Sequence, residues 1–178
     1  MYVSDLAKLV KITLIGSPAV GKTTMLKLLS KHTIDRFYVP THGFDLKTVK
    51  FGDFHLRVWD LAGQSNYLKT YSKDLLLGSD IIFIITDSTP RNVLISRELI
   101  NYAGHFVGKE CPIIAIANKQ DLVRRDGRME TKRVEDVLHV KTYGLTAIDP
   151  SEREKLINII KNELNNVAKR RGLKEIEF

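Results

Sequence analysis

Residues 12–29, Ile12-Thr13-Leu14-Ile15-Gly16-Ser17-Pro18-Ala19-Val20-Gly21-Lys22-Thr23-Thr24-Met25-Leu26-Lys27-Leu28-Leu29, decide the fold. An apolar run of strand length leads into Gly16 to Thr23, which satisfies the phosphate-loop pattern GxxxxGK[ST], and a helical run follows. Glycines let backbone N–H groups curl around the α and β phosphates, and the helix N-terminus adds a partial positive charge. Lys22 is placed to reach the β and γ phosphates, and Thr23 to offer its hydroxyl to Mg²⁺. Nucleotide binding is therefore expected through Ser17, Ala19, Val20, Gly21, Lys22, Thr23 and Thr24. A glycine turn with an accidental lysine would lack the strand and helix on either side.

Outward from this loop, apolar runs at Lys11 to Ile15, Leu56 to Trp59, Asp80 to Thr86 and Pro112 to Ala117 alternate with segments of helical period. Such alternation predicts strand-helix units, a largely parallel sheet and an α/β fold. Phe44 to Phe51 and Asp53 to Asp60 are separated by a turn too short for a crossover, which predicts an antiparallel hairpin and one antiparallel sheet edge. The last helix is marked by Asp149 as N-cap, Pro150 at the first position and Glu152 completing the capping pattern. Leu156, Ile159, Ile160, Leu164 and Val167 form its core stripe.

The chain has 178 residues, 43% hydrophobic and 28% charged, in keeping with one globular domain over residues 1–178, with a short N-terminal lead-in and a basic C-terminal tail. Its longest apolar stretches fall far short of the roughly 20 residues that cross a bilayer, and Tyr2 stands where myristoylation needs glycine. No transmembrane segment, signal peptide or lipidation signal is expected, and the single cysteine, Cys111, reads as a buried structural thiol in a reducing, cytoplasmic compartment. The net charge of +7 favours acidic partners without choosing among nucleotide, RNA and anionic membrane. Two basic excesses, Arg124, Arg125, Arg128, Lys132 and Arg133 and then Lys169, Arg170, Arg171 and Lys174, read as solvated surface because no aromatics interleave them. His32, His42, His55, His105 and His139 lack metal-ligand spacing, so zinc is not expected. Leu6, Leu9 and Val10 read as packing of the first strand's lead-in rather than as a membrane-seeking stretch.

A phosphate loop alone leaves adenine and guanine open. At the end of the hairpin lies Trp59-Asp60-Leu61-Ala62-Gly63-Gln64. There Asp60 can hold Mg²⁺, the Gly63 N–H can sense a γ phosphate, and Gln64 can orient an attacking water. After a later strand comes Asn118-Lys119-Gln120-Asp121. A carboxylate at the Watson–Crick edge accepts from the ring N–H and the exocyclic amino group of guanine together, a pair of donors adenine does not offer. GTP and GDP are the expected ligands.

With these motifs the chain resembles the small GTPases of the Ras superfamily, from Lys11 to about Val167. Tyr38-Val39-Pro40-Thr41-His42-Gly43-Phe44 is similar to the first switch, with Thr41 at the Mg²⁺-binding, γ-phosphate-sensing position and Tyr38 near the phosphate-covering tyrosine. Asp60 to Gln64 is similar to the start of the second switch, and Leu145-Thr146-Ala147 to the final loop, whose Ala147 N–H would meet the guanine oxygen. The switch motif is similar to both the Arf and Rab branches and leaves the branch open. Taken with the resemblance, the expected fold is a P-loop NTPase whose six-stranded, mostly parallel sheet has one antiparallel edge strand and helices on both faces.

The resemblance implies a slow, Mg²⁺-dependent GTPase in which GTP orders Thr41 and Gly63 and hydrolysis releases both loops. Gln64, Lys22 and Thr41 would serve catalysis, Thr23, Thr41 and Asp60 the metal, and Thr146, Ala147, Asn118, Lys119 and Asp121 the base. Effector, exchange and activating proteins would meet Tyr38–Phe44 and Asp60–Tyr71. Arg36, just ahead of the first switch, is a candidate arginine finger in cis, but a solvated loop arginine is the favoured reading. Pro18 and Ala19 replace glycines of some relatives, Ile34 replaces a phenylalanine beside the base for which Phe37 could substitute, and Ile148 replaces a lysine. Two alternatives stand beside the switch: a GTP-binding interaction module with negligible turnover, and a GTPase associated with RNA or ribosomal particles.

Overall fold

The computed structural model describes residues 9–30, 44–51, 54–61 and 73–172, with the backbone alone described at Leu9, 44–51 and 54–61. Its strands are β1 (Leu9–Ile15), β2 (Phe44–Phe51), β3 (Phe54–Leu61), β4 (Ile81–Thr86), β5 (Ile113–Ala117) and β6 (Thr142–Gly144). Its helices are α1 (Lys22–Leu29), α2 (Pro90–Gly104), α3 (Thr131–Leu138) and α4 (Arg153–Arg170), with 3₁₀ turns at Gln120–Leu122 and Pro150–Glu152.

The strands form one sheet in the order β2-β3-β1-β4-β5-β6. β1 pairs in parallel with β3 and β4, β4 with β5, and β5 with β6, whereas β2 lies antiparallel to β3 from Phe44 opposite Leu61 to Phe51 opposite Phe54. The α/β class follows from this alternation, because a parallel pair needs a crossover long enough to hold a helix. β6, three residues long, is too short to announce itself by periodicity.

β4 is buried along its whole length, and alternation sends its side chains to two cores. Ile81, Phe83 and Ile85 join Ile12 and Leu14 of β1 under α1 and α4. Ile82 and Ile84 turn the other way, with Ile15, Leu76 and Ala103 of α2, while Ala115 and Ala117 meet Val93 of α2 and Val134 and Leu138 of α3. Helices therefore cover both faces. Val10 is core, as the lead-in packing predicts, and Leu6 lies outside the described residues.

Leu156, Ile159, Ile160, Leu164 and Val167 all belong to the first core, together with Ile157. The entry to α4 differs from the expected capping pattern. Asp149 Oδ1 accepts from Ser151 N at 2.9 Å and caps a 3₁₀ turn, and α4 proper begins at Arg153. The Asp149 N–H donates to Thr146 O instead of to the Glu152 side chain, whose Oε2 accepts from Thr146 N at 3.4 Å and from Lys155 Nζ at 2.8 Å. Inside α4, Glu163 is 3% exposed and accepts from Lys141 Nζ at 2.6 Å and Tyr143 OH at 2.5 Å, which ties the last helix to the β6 edge. Burial acts to raise the Glu163 carboxyl, but these two hydrogen bonds, the Lys141 charge and a hydrogen bond from Asn166 together outweigh it and hold the group below the usual glutamate range.

Cys111 is half-buried, and burial, with Asp80 adding to it, pushes its thiol up to about 11, the setting of an inert structural thiol. Among the described residues, no helix is long and apolar enough to cross a membrane.

Candidate nucleotide site

Parallel pairing brings the C-terminal ends of β1, β3, β4, β5 and β6 to one edge of the sheet, where ligands of open α/β sheets bind. Leu14 lies opposite Asp60, Thr86 opposite Ala117, and Ala117 opposite Gly144. The loops after these positions carry the sequence motifs.

The loop from Gly16 to Gly21 joins β1 to α1. Gly21 has φ 106°, a conformation side chains rarely adopt, and a Cβ there would run into Asn118 Nδ2. Ala19 holds φ 60° despite its methyl group. Lys22, only 6% exposed, arches back and donates from Nζ to the carbonyl oxygens of Gly16 and Ser17, both at 3.0 Å. Its ammonium is thus held over the loop. Thr23 and Thr24 follow in the first turn of α1.

Asn118, 2% exposed, connects three loops. Its Nδ2 donates to Val20 O at 2.9 Å, its Oδ1 accepts from Ala147 N at 2.9 Å, and its backbone N–H donates to Thr86 O at 2.8 Å. The Ala147 N–H, expected at a guanine oxygen, is here directed to this side chain. Lys119 has φ 61° and donates from Nζ to Ala19 O at 2.8 Å, a second strap onto the phosphate loop. Burial lowers the Lys119 ammonium from its ordinary value, Asp87 and Asp121 oppose that shift, and Arg128 adds to it. Asp121 is exposed on the 3₁₀ turn, beside Arg124 and Arg125. Thr146 stands one residue before Ala147, its N–H on Glu152.

Arg128 departs from the solvated-surface expectation. Its Nη1 donates to Asp87 O at 2.6 Å and pairs with Asp87 Oδ2 at 3.1 Å, with 13% of its side chain exposed. Asp87 Oδ1 also accepts from Thr89 N at 3.1 Å, Thr89 Oγ1 at 2.7 Å and Asn92 Nδ2 at 2.9 Å. Burial acts to raise the Asp87 carboxyl, yet the hydrogen bonds from Asn92, Thr89 and Arg128 prevail and lower it. Sequence reasoning passed over this cluster. The Thr89-Pro90 pair, a helix start with Pro at the first position, was the available signal that a strand ends just before Asp87 beside the site.

Asp60 lies near the C-terminal end of β3, with its backbone alone described. Thr41, Tyr38, Gly63 and Gln64 lie outside the described residues, as do Ile34, Arg36 and Phe37. Among the described residues no three His, Cys, Asp or Glu converge on a metal position. The Thr23 hydroxyl, in the first turn of α1, is a hard donor that would suit Mg²⁺, and the backbone of Asp60 runs opposite Leu14 on the neighbouring strand.

Four similarities to known proteins bear on this arrangement. The model of the ADP-ribosylation factor family matches residues 2–177. The chain is similar to ADP-ribosylation factor-like protein 3 of Caenorhabditis elegans, 31% identical over 150 residues covering 82% of this chain and 80% of that one. It is similar to ADP-ribosylation factor-like protein 2 of Drosophila melanogaster, 27% identical over 169 residues, 90% of this chain and 88% of that one. To an ADP-ribosylation factor of Encephalitozoon cuniculi it is 29% identical over 134 residues, 75% of this chain, and it spans only 64% of that relative's length. The match runs through the phosphate loop, the Asn118 loop and the segment between them, and so decides the branch that the switch motif left open: the chain belongs to the ADP-ribosylation factor family, the Arf branch of the Ras-superfamily small GTPases.

Proposed function

We propose that this protein binds GTP and hydrolyses it to GDP and phosphate, acting as a molecular switch between the two bound states. The observation that carries the proposal is Asn118, whose single side-chain amide ties the phosphate loop at Val20 to the final loop at Ala147, so that the phosphate and base halves of one nucleotide site are built together. Asp121 reads guanine, Lys119 lies along the base, and the N–H groups of Ser17 and of Ala19 to Thr24 cradle the phosphates. Thr23 and Asp60, with Thr41, would hold Mg²⁺, which when bound would neutralise charge on the phosphate oxygens. Lys22 is already poised over the loop and stabilises charge on the β and γ phosphates. Gln64 orients a water for in-line attack on the γ phosphorus, the bond to the bridging oxygen breaks, and no covalent intermediate forms. Tyr38–Phe44 and Asp60–Tyr71 display the nucleotide state to effector, exchange and activating proteins.

Single-turnover hydrolysis with Mg²⁺ tests this. The parent should convert GTP and leave ATP, Gln64→Leu should bind GTP without converting it, and Asp121→Asn should relax base choice. Binding of GTP by the parent with no turnover would overturn hydrolysis and support the alternative, an interaction module that works through its bound nucleotide. Pro18 and Ala19, exposed at the mouth of the phosphate loop, are the observation behind that alternative.

A further inference from the structure

Gln120 is the one residue of the Asn118-Lys119-Gln120-Asp121 motif to which the proposed function gives no role. Its side chain nevertheless uses both ends of its amide. Nε2 donates to Ser88 Oγ at 2.9 Å and to Met129 O at 3.2 Å, and Oε1 accepts from Thr131 Oγ1 at 3.1 Å. Its backbone N–H donates to Leu145 O at 3.3 Å. One residue thus joins the ends of β4 and β6, the segment before α3 and the 3₁₀ turn that carries Asp121.

Ser88 passes the restraint on. It is fully buried, holds φ 66°, and donates from Oγ to Asn118 O at 2.7 Å. Because that hydroxyl proton is committed to Asn118, Ser88 Oγ can take only a donor from Gln120, and the amide nitrogen supplies it. Met129 N returns to Ser88 O at 2.7 Å, which closes a ring of hydrogen bonds beneath the loop. Space is as restricted as polarity. A Cβ on Gly144 would collide with Thr131 Oγ1 and reach Gln120 Cγ at 3.5 Å. The two left-handed residues beside the loop, Ser88 and Lys119, persist only if their surroundings hold them, and Gln120 follows one and bonds the other.

We propose that Gln120 is a positioning residue for guanine recognition: its amide fixes the 3₁₀ turn so that Asp121 meets the exocyclic amino group, and it does so without touching the base. This rests on the guanine-binding function proposed above. Gln120→Glu is the sharp perturbation, since it keeps the shape but sets a carboxylate oxygen against the Met129 carbonyl and the Ser88 lone pair. Gln120→Met removes the hydrogen bonds without that repulsion.

The test is dissociation of fluorescent GDP and fluorescent IDP, which lacks the exocyclic amino group, from the full chain by stopped flow. The parent should release IDP faster than GDP. Gln120→Glu should release GDP roughly tenfold or more faster and bring the two rates together, as expected when buried polar partners are left facing like groups. Gln120→Met should fall between, and it carries the test if the glutamate variant does not fold. A lowered melting temperature with the GDP-to-IDP rate ratio unchanged in both variants would overturn the positioning role while leaving guanine binding intact. A parent that releases GDP and IDP at the same rate would overturn guanine recognition itself, and the positioning role with it.

Discussion

Asn118→Asp is isosteric, so its effect isolates one hydrogen atom and one charge. In the parent, Nδ2 donates to Val20 O and Oδ1 accepts from Ala147 N, both at 2.9 Å and both away from solvent. An ionised aspartate keeps the second bond and turns the first into two oxygens facing each other. An unpaired buried carbonyl costs about 1–3 kcal/mol. Burial raises the new carboxyl, and a rise of about two pH units is worth about 2.7 kcal/mol at 1.36 kcal/mol per unit. Both effects are contained in that one shift, so the expected deficit at pH 7 is about 3 kcal/mol, a sizeable part of the roughly 5–15 kcal/mol that holds a domain folded. The sign with pH is fixed by the proton count. Between the unfolded value near 3.9 and the raised folded value, the folded state binds the extra proton, so variant stability falls by about 1.36 kcal/mol per unit as pH rises and levels off above the folded value. Acidification should do more than discharge the group. The protonated carboxyl supplies an O–H for Val20 O while its other oxygen still accepts from Ala147, so near pH 4 the variant should approach the parent. Urea unfolding of both proteins at a fixed excess of GDP, from pH 4 to 8, measures this. A deficit that does not change with pH, or one below about 1 kcal/mol at pH 7, would refute the reasoning; Asn118→Ala, with no titrating group, should show the pH-independent deficit.

Gly21→Ala should destabilise the GDP-bound protein by about 3 kcal/mol, from left-handed strain together with the collision of its Cβ with Asn118 Nδ2, and lower the melting temperature by about 6–12 °C; an unchanged melting curve would contradict the packing. Glu163, held below its ordinary value in the fold, contributes stability that is present above its unfolded value near 4.3 and is lost as pH falls through its folded value. Glu163→Gln should therefore lower stability at pH 7 by about 1–2 kcal/mol, discounted because the Lys141 side chain is 53% exposed, and melts from pH 3 to 6 should show the gap to the parent closing in acid.

What the sequence made legible was local. The phosphate loop can be read because its strand, its glycine and its lysine lie within a dozen residues, and the physical demand on each, such as φ 106° at Gly21, is set by near neighbours. The stripe of α4 can be read for the same reason, since residues three and four apart share a face. The wiring of the site cannot. Asn118 and Val20 are 98 residues apart, Lys119 and Ala19 are 100 apart, and no period or spacing announces either bond. Arg128 shows the same limit from the opposite side. Within the run Arg124, Arg125, Arg128 it reads as one more surface charge, and only the return of the chain to Asp87, 41 residues away, makes it a buried partner. The capping residue Glu152 departs for a local reason, its carboxylate satisfied by Thr146 N six residues back and Lys155 Nζ three residues on.

Strain marks where that wiring matters. Four residues other than glycine hold positive φ among the described residues: Ala19, Ser88, Lys119 and His139. The first three surround the proposed nucleotide, and each is held by a bond to another part of the site: Lys119 Nζ to Ala19 O, and Ser88 Oγ to Asn118 O. Left-handed backbone costs about 1–2 kcal/mol per residue and persists only where the surroundings enforce it. The base loop and phosphate loop therefore enforce each other, and the energy that shapes one is supplied by contacts to the other. Such a preorganised edge binds the parts common to GTP and GDP, the base and the α and β phosphates, with equal affinity in both states. A group bound equally in two states shifts no equilibrium between them. Discrimination between the nucleotides must then come from residues that answer to the γ phosphate alone, the part that the family resemblance gives to Thr41 and Gly63 and the proposed function gives to Gln64.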